Sequence, residues 1–240
     1  MDYSHSSLIW LRRCGQRLGI LRPFVRAYRR MFAIKYEQNF DAIMLSQVCP
    51  GDTVWDIGAN IGFFTDKFAA ASGPSGSVVA FEPAPGAFEA LQRSHRAGGR
   101  VRLENIALAD FDGEADFHVS GEGTDPTNGL FSSRPDMAVR KVKVLRGDTY
   151  RSAHADLVPT RIKIDVEGYE YEVIKGLQET LKSGSLQSVF IEVHFATLAE
   201  RGMPEAPTKI TGLLKESGFD VRWADSGHII ATRSPKAPRS

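Results

Sequence analysis

Hydrophobic and polar positions along the chain switch repeatedly between two periods. Short apolar runs at Thr53–Ile57, Ser77–Phe81, Val101–Leu108, Arg161–Val166 and Ser188–Val193 read as buried strands. Stretches with helical spacing separate them: Phe63–Ala71, Pro85–Ala97 running into Gly98-Gly99, Tyr171–Leu181, and Thr208–Glu216 halted at Gly218. A further helix is expected over Phe40–Val48, ended by the turn pair Pro50-Gly51. Alternating strands and helices predict an α/β fold, a parallel sheet doubly wound with helices on both faces. Right-handed crossovers then place the strands' C-terminal ends on one rim, where ligands bind.

Two stretches depart from this pattern. Between residues 110 and 145, the turn Asp112-Gly113 is followed by alternating segments at Ala115–Val119 and Val139–Leu145, with Gly121–Pro135 rich in turn formers between them. This reads as an inserted hairpin and loop. Near the end, Asp220–Trp223 and His228–Thr232 flank Asp225-Ser226-Gly227, a second hairpin that would give the sheet one antiparallel strand.

A chain of 240 residues, 42% hydrophobic, can close one full core. We expect a basic helical extension over residues 1–36, a catalytic domain over 37–233, and a disordered tail over 234–240. Charge separates the first two. Between Tyr3 and Tyr36 there are eight basic residues and no acidic ones, interleaved with apolar positions at amphipathic spacing around Pro23. Such a segment either packs on the core as a cap or lies on an anionic membrane surface as a peripheral contact. From Glu37 onward, 22 Lys plus Arg face 28 Asp plus Glu, a balance that speaks against nucleic acid as the partner. Cys14 and Cys49 are too few for a disulfide framework or zinc site, and no apolar run approaches the ~20 residues of a membrane span. The expected location is cytoplasmic, with membrane association through the N-terminal segment as the alternative.

The predicted turn after the first strand reads DIGANIGFFT, from Asp56 to Thr65. Gly58 and Gly62 are four apart, which is not the Gly-x-Gly-x-x-Gly spacing that hugs a pyrophosphate, and Asp56 would repel one. That counts against a nicotinamide-dependent oxidoreductase, the alternative enzyme class. A ligand with cationic groups fits better. S-adenosylmethionine could set its ammonium on Asp56 and its carboxylate on backbone N–H groups of the loop, approached closely because Gly58 and Gly62 lack a Cβ. Asn60 belongs to the same loop. Glu82 ends the second strand, 24 residues past Gly58, where a carboxylate accepts both ribose hydroxyls. Asn105, ending the third, can bond a base edge or cap a turn.

The ordered series VWDIGANIGFFT, AFEP, NIALAD with Asp112-Gly113, IKIDVEGYEYEVIKG and FIEVH resembles the FkbM-type family of S-adenosylmethionine-dependent methyltransferases, from about Gly51 to His194. The resemblance implies the class I methyltransferase (Rossmann-like) fold, a seven-stranded sheet with one antiparallel strand. It also implies transfer of a methyl group, mostly to oxygen, on small-molecule, sugar or glycan- and lipid-linked acceptors. A non-catalytic member that binds cofactor without turnover is the other alternative.

In that frame Asp165, at the end of the fourth main-sheet strand, faces the reacting methyl group. Glu192 and His194 share a face at the end of the fifth. Methylating a hydroxyl requires its proton to be removed, and His194, with an ordinary pKa near neutrality, is the expected base. Glu192, Asp165 or Glu167 would orient it or the acceptor. A divalent metal held by Asp165, Glu167, Glu192 and His194 is a less favoured use of the same groups. His118, His154 and His228 have no comparable neighbours in the sequence, and Tyr169–Glu172 reads as a solvated first helical turn. Acceptor specificity is expected from Gly121–Pro135, Phe195–Pro207 and the N-terminal helices.

Overall fold

The computed structural model describes residues 39–95, 99–120, 125, 128–131 and 137–233. The expected basic extension over 1–36 and the expected tail over 234–240 lie outside the described residues. Five parallel strands begin the main sheet in sequence order: β1 (Thr53–Ile57), β2 (Ser77–Phe81), β3 (Val101–Glu104), then, past a small second sheet, β7 (Arg161–Ile164) and β8 (Ser188–Glu192). The closing hairpin supplies β9 (Asp220–Trp223) and β10 (His228–Thr232). The spatial order is β3-β2-β1-β7-β8-β10-β9, and β10 runs antiparallel to both neighbours. This is a seven-stranded sheet with one antiparallel strand.

The two-residue period of each strand divides the core between the two faces. Trp55, Ile57, Val79, Phe81, Ile162 and Ile164 point to one face, which is covered by α4 (Gly147–Ala153), α5 (Glu170–Gly176), α6 (Gln178–Lys182) and, after the short α7 (Phe195–Glu200), α8 (Ala206–Glu216). Val54, Val78, Phe190 and Ile230 point to the other, against Phe40 and Met44 of α1 (39–46) and Phe68 of α2 (Phe63–Ser72). Trp55, Phe81 and Tyr150 meet edge to face with centroids 4.9 to 5.4 Å apart. Truncating fully buried Trp55 to Ala would cost about 3–5 kcal/mol.

The structure departs from the sequence reading at three elements. The expected strand Val101–Leu108 is two: β3 ends at Glu104, and β4 (Ala107–Ala109) joins a separate three-stranded sheet of order β4-β6-β5 with β5 (Gly113–Val119) and β6 (Ala138–Arg146). Asn105 makes the break by donating its side-chain amide to the Glu82 and Pro83 carbonyls, which draws the chain off the sheet. The expected hairpin is β5–β6, in register from Gly113↔Val144 to Val119↔Ala138. The expected helix Tyr171–Leu181 breaks at Leu177 into α5 and α6, and α3 (Pro85–Ser94) stops short of the glycine pair. Helix α4, without a clear periodic signal of its own, is fixed by tertiary contacts: Asp148 accepts the backbone N–H of Glu179 and Thr180, tying α4 to α6.

Candidate active site

At the rim, the turn from β1 to α2 is shaped by close packing. Gly58 has φ +81°, and a Cβ there would lie 1.8 Å from the Asp165 carbonyl oxygen; Gly62 has φ +96°, and a Cβ would collide with the Leu91 and His95 side chains. Both glycines are therefore required by neighbouring chain, a different reason from the expected room for a ligand carboxylate. Asn60 also takes a left-handed φ of 50°, a conformation Asn tolerates better than most residues.

Glu82 leaves β2 into the space that this turn encloses. One carboxylate oxygen accepts the Asn60 backbone N–H at 2.7 Å and the other the Ala84 N–H at 2.8 Å, so the group cannot swing away. Burial pushes its pKa up to about 7, against the lowering effect of those two N–H groups. Each oxygen keeps a free lone pair for a further donor. A cleft of about 680 Å³ opens in front of Glu82, lined also by Gly58, Asn60, Asp165 and Glu167, with Phe117 and Leu130 at the small-sheet side. The Asn60 side-chain oxygen is buried without a hydrogen-bond partner among the described residues. These features fit a ligand that presents hydroxyls to Glu82 and a donor to Asn60.

Asp56 does not reach that cleft. It is fully buried, accepting the Thr65 hydroxyl at 2.7 Å and pairing with the Lys163 ammonium at 3.3 Å. Lys163 also lies 3.4 Å from Asp165. Burial alone would lower the Lys163 pKa, but the two carboxylates raise it. Asp56 therefore makes no direct contact with that cleft: a lysine from β7 lies beside it, and Asp56 sits beneath the turn. Asn105 takes the capping alternative, its amide donors committed to the Glu82 and Pro83 carbonyls.

Asp165, Glu167, Glu192 and His194 come together beyond β7 and β8. The His194 Nε2 is 3.2 Å from Glu167, 3.7 Å from Asp165 and 3.9 Å from Glu192. Its Nδ1 bonds a residue the sequence reading passed over, Glu170, at 2.8 Å. Glu170, expected in a solvated turn, is fully buried and also accepts the Gly168 N–H. Glu172 is buried too, bridged by Arg201, whose guanidinium covers the Tyr169 ring at 3.7 Å. The start of α5 meets the segment after β8, Glu170 at His194 and Glu172 at Arg201, so acids that a helix surface would expose face inward.

Burial alone would lower the His194 pKa, but hydrogen bonds to Glu167 and Glu170 overcome it and push it up to about 11. Those partners favour the imidazolium, so His194 can act as a base only once its proton is drawn off. Asp165, Glu167 and His194 each offer a ligand atom within 4.8 Å of the others, close enough to surround a cation. A metal there would have to displace the His194 proton, which Glu167 and Glu170 favour.

His228 also has company that the sequence concealed. Asp225 holds its Nδ1 at 2.8 Å, and its Nε2 lies 3.7 Å from Glu192. Burial would lower its pKa, but Asp225 and Glu192 push it up to about 9. Glu192 therefore stands between two imidazoles, and His228 beside it holds its pKa below the usual carboxylate value.

Known proteins agree with this architecture. The family model described as "Methyltransferase FkbM domain" matches residues 56–221. The hexuronic acid methyltransferase AglP of Haloferax volcanii is 30% identical over 78% of this chain and 72% of its own length. The 31-O-demethyl-FK506 methyltransferase FkbM of Streptomyces tacrolimicus is 35% identical over 72% of this chain and 74% of its own. Among solved structures, a putative rRNA methylase from Clostridium thermocellum superposes with a TM-score of 0.51 at 14% identity, over 81% of this chain and 93% of that one, a likeness of fold.

Proposed function

The chain belongs to the FkbM methyltransferase family, and from that premise we propose that it transfers the methyl group of S-adenosylmethionine to a hydroxyl of a small-molecule, sugar or glycan- or lipid-linked acceptor. The observation that carries this reading is Glu82, anchored through both oxygens at the end of β2 and open to a cleft that runs on to Asp165. Family membership in a methyltransferase group removes the oxidoreductase alternative. The cofactor supplies an activated methyl group on a positively charged sulfur. Everything else falls to the chain's own residues: Glu82 takes the ribose hydroxyls, the turn Gly58–Asn60 fixes the cofactor's height above the sheet, and Asp165 faces its charge.

Proton removal then depends on His194. A cation bound beside Asp165 competes with the imidazolium for the same carboxylates and so lowers the His194 pKa from about 11, releasing it to accept the hydroxyl proton. Glu170 keeps Nδ1 occupied, so Nε2 is the atom that exchanges the proton.

Calorimetric titration with S-adenosylhomocysteine tests the reading. Saturable binding that is lost in Glu82→Ala, with no response to NADH, supports it. Binding that Glu82→Ala leaves intact, or a response to NADH instead, overturns it.

A further inference from the structure

Resting on the methyl-transfer reading, we propose that Lys163 and Asp56 form a counter-charge beneath the donor site, which sets how strongly that site prefers the cationic donor, S-adenosylmethionine, over its neutral product, S-adenosylhomocysteine. Lys163 stands two residues before Asp165, so by the two-residue period of β7 both side chains leave on one face. Its ammonium has three donors and meets three oxygens: Asp56 at 3.3 Å, Asp165 at 3.4 Å and the Gly58 carbonyl at 3.4 Å. The Phe64 ring lies 5.1 Å away, and only 6% of the lysine side chain is exposed. Lys163 also lines a second rim cavity of about 600 Å³, with Phe64, Glu192 and His228. With all three donors committed to the chain's own oxygens, it acts on a ligand through its charge.

That charge is placed where it matters for the donor. Asp165 lines the first cleft and faces the donor's sulfonium in the methyl-transfer reading. A positive charge 3.4 Å from this carboxylate offsets its pull on a second cation. Asp56, fully buried on the other side of the lysine, gives part of that pull back. Asp56, Lys163 and Asp165 together carry one formal negative charge, where the two carboxylates alone would carry two. The lysine's field extends along the cleft: burial raises the pKa of Glu82 at the ribose end, and Lys163 opposes the rise.

Methyl transfer removes the donor's charge. The S–CH₃ bond breaks, its electron pair stays on sulfur, and a neutral thioether remains. In the transition state that charge is already dispersing, so extra attraction for the full sulfonium stabilises the reactant more than the transition state. A lysine set against Asp165 limits this loss, and Asp56 beneath it keeps the cationic donor preferred.

The test is calorimetric titration of the full chain with S-adenosylmethionine, S-adenosylhomocysteine and sinefungin, in which a carbon bearing an ammonium replaces the sulfonium. The readout is the preference for each cationic ligand over S-adenosylhomocysteine, taken as a ratio of Kd values. Lys163→Met, uncharged and close in shape, should raise that preference at least threefold. Asp56→Asn should lower it at least threefold, because Lys163 then balances Asp165 alone. The double variant, which leaves neither buried charge unpaired, should fall between the two. Loss of a purely structural ion pair would weaken all three ligands together and leave the ratio unchanged. A change below threefold or of the wrong sign in either folded single variant, or a double variant outside their range, overturns the proposal. Should circular dichroism show Lys163→Met unfolded, Asp56→Asn decides, since it keeps the shape of the side chain and an acceptor for the Thr65 hydroxyl. If the parent chain binds neither S-adenosylmethionine nor S-adenosylhomocysteine, the methyl-transfer reading fails instead.

Discussion

The two cavities on the rim differ in what builds them. The cleft before Glu82 has its anchor fixed by backbone: an adjoining turn with two glycines at positive φ, a chain passing 1.8 Å from where a Gly58 Cβ would sit, and a carboxylate pinned by two main-chain N–H groups. The cavity beside Glu192 is made by side chains from five distant segments, Phe40 and Asp41, Phe63 and Phe64, Lys163, Glu192, and His228. A backbone-built site tolerates little change and suits a ligand shared by many enzymes. One built of side chains can be altered residue by residue, so its shape and charge can differ between relatives.

Substitutions in the two regions should therefore fail in different ways. The largest effect is expected at Gly58→Ala, where a positive φ and a collision with the Asp165 carbonyl combine. A loss of about 3 kcal/mol or more in denaturant unfolding should accompany loss of S-adenosylhomocysteine binding. Wild-type stability in that variant would mean the turn is not as rigid as the packing implies. Next comes His194→Gln, expected to lower kcat by about 10²–10⁴-fold while leaving donor affinity within twofold. In the parent enzyme kcat should rise with pH above neutrality as His194 loses its proton, and the variant's profile should be flat. A flat profile in the parent would transfer the proton-accepting role to Glu192, whose pKa lies below the usual range.

A smaller effect is expected from the ionisation of Glu82. Its folded pKa, about 7, exceeds that of an exposed glutamate, so the group favours the folded state below ~4.5 and loses that contribution as pH rises through 7. The ionised carboxylate is the better acceptor for ribose hydroxyls, so S-adenosylhomocysteine affinity should strengthen between pH 6 and 8, and Glu82→Gln should abolish that dependence. The smallest effect is expected from chelation: EDTA should change kcat less than twofold, because the proposed proton transfer runs through His194 and its carboxylate partners alone. Inactivation by EDTA, restored by Mg²⁺ or Mn²⁺, would contradict this.

The same contrast explains what could be read from the chain. The β1–α2 turn, Glu82 at a strand end and the order of the sheet follow from local spacing, since glycine positions and two-residue alternation are written in consecutive residues. Asp56 was legible as a position but not as a role, because its partner Lys163 arrives from a strand more than a hundred residues later. Glu170 and Glu172 look like a solvated helical turn until His194 and Arg201 are seen against them. His228 carries no signal of its own beyond Asp225 three residues before it, and its place beside Glu192 arises only when β10 inserts next to β8 in antiparallel register, His228 opposite Glu192. Asn105 could not be decided from sequence because both readings use the same amide, and only the nearby Glu82 and Pro83 carbonyls choose between them.

The central claim is that Glu82 anchors an adenosyl donor whose reactive end lies toward Asp165 and His194. A crystal structure with S-adenosylhomocysteine bound tests it most directly. The account predicts both ribose hydroxyls on the Glu82 carboxylate and the sulfur on the Asp165 side of the cleft. A ribose elsewhere, or a sulfur directed away from Asp165, would contradict it.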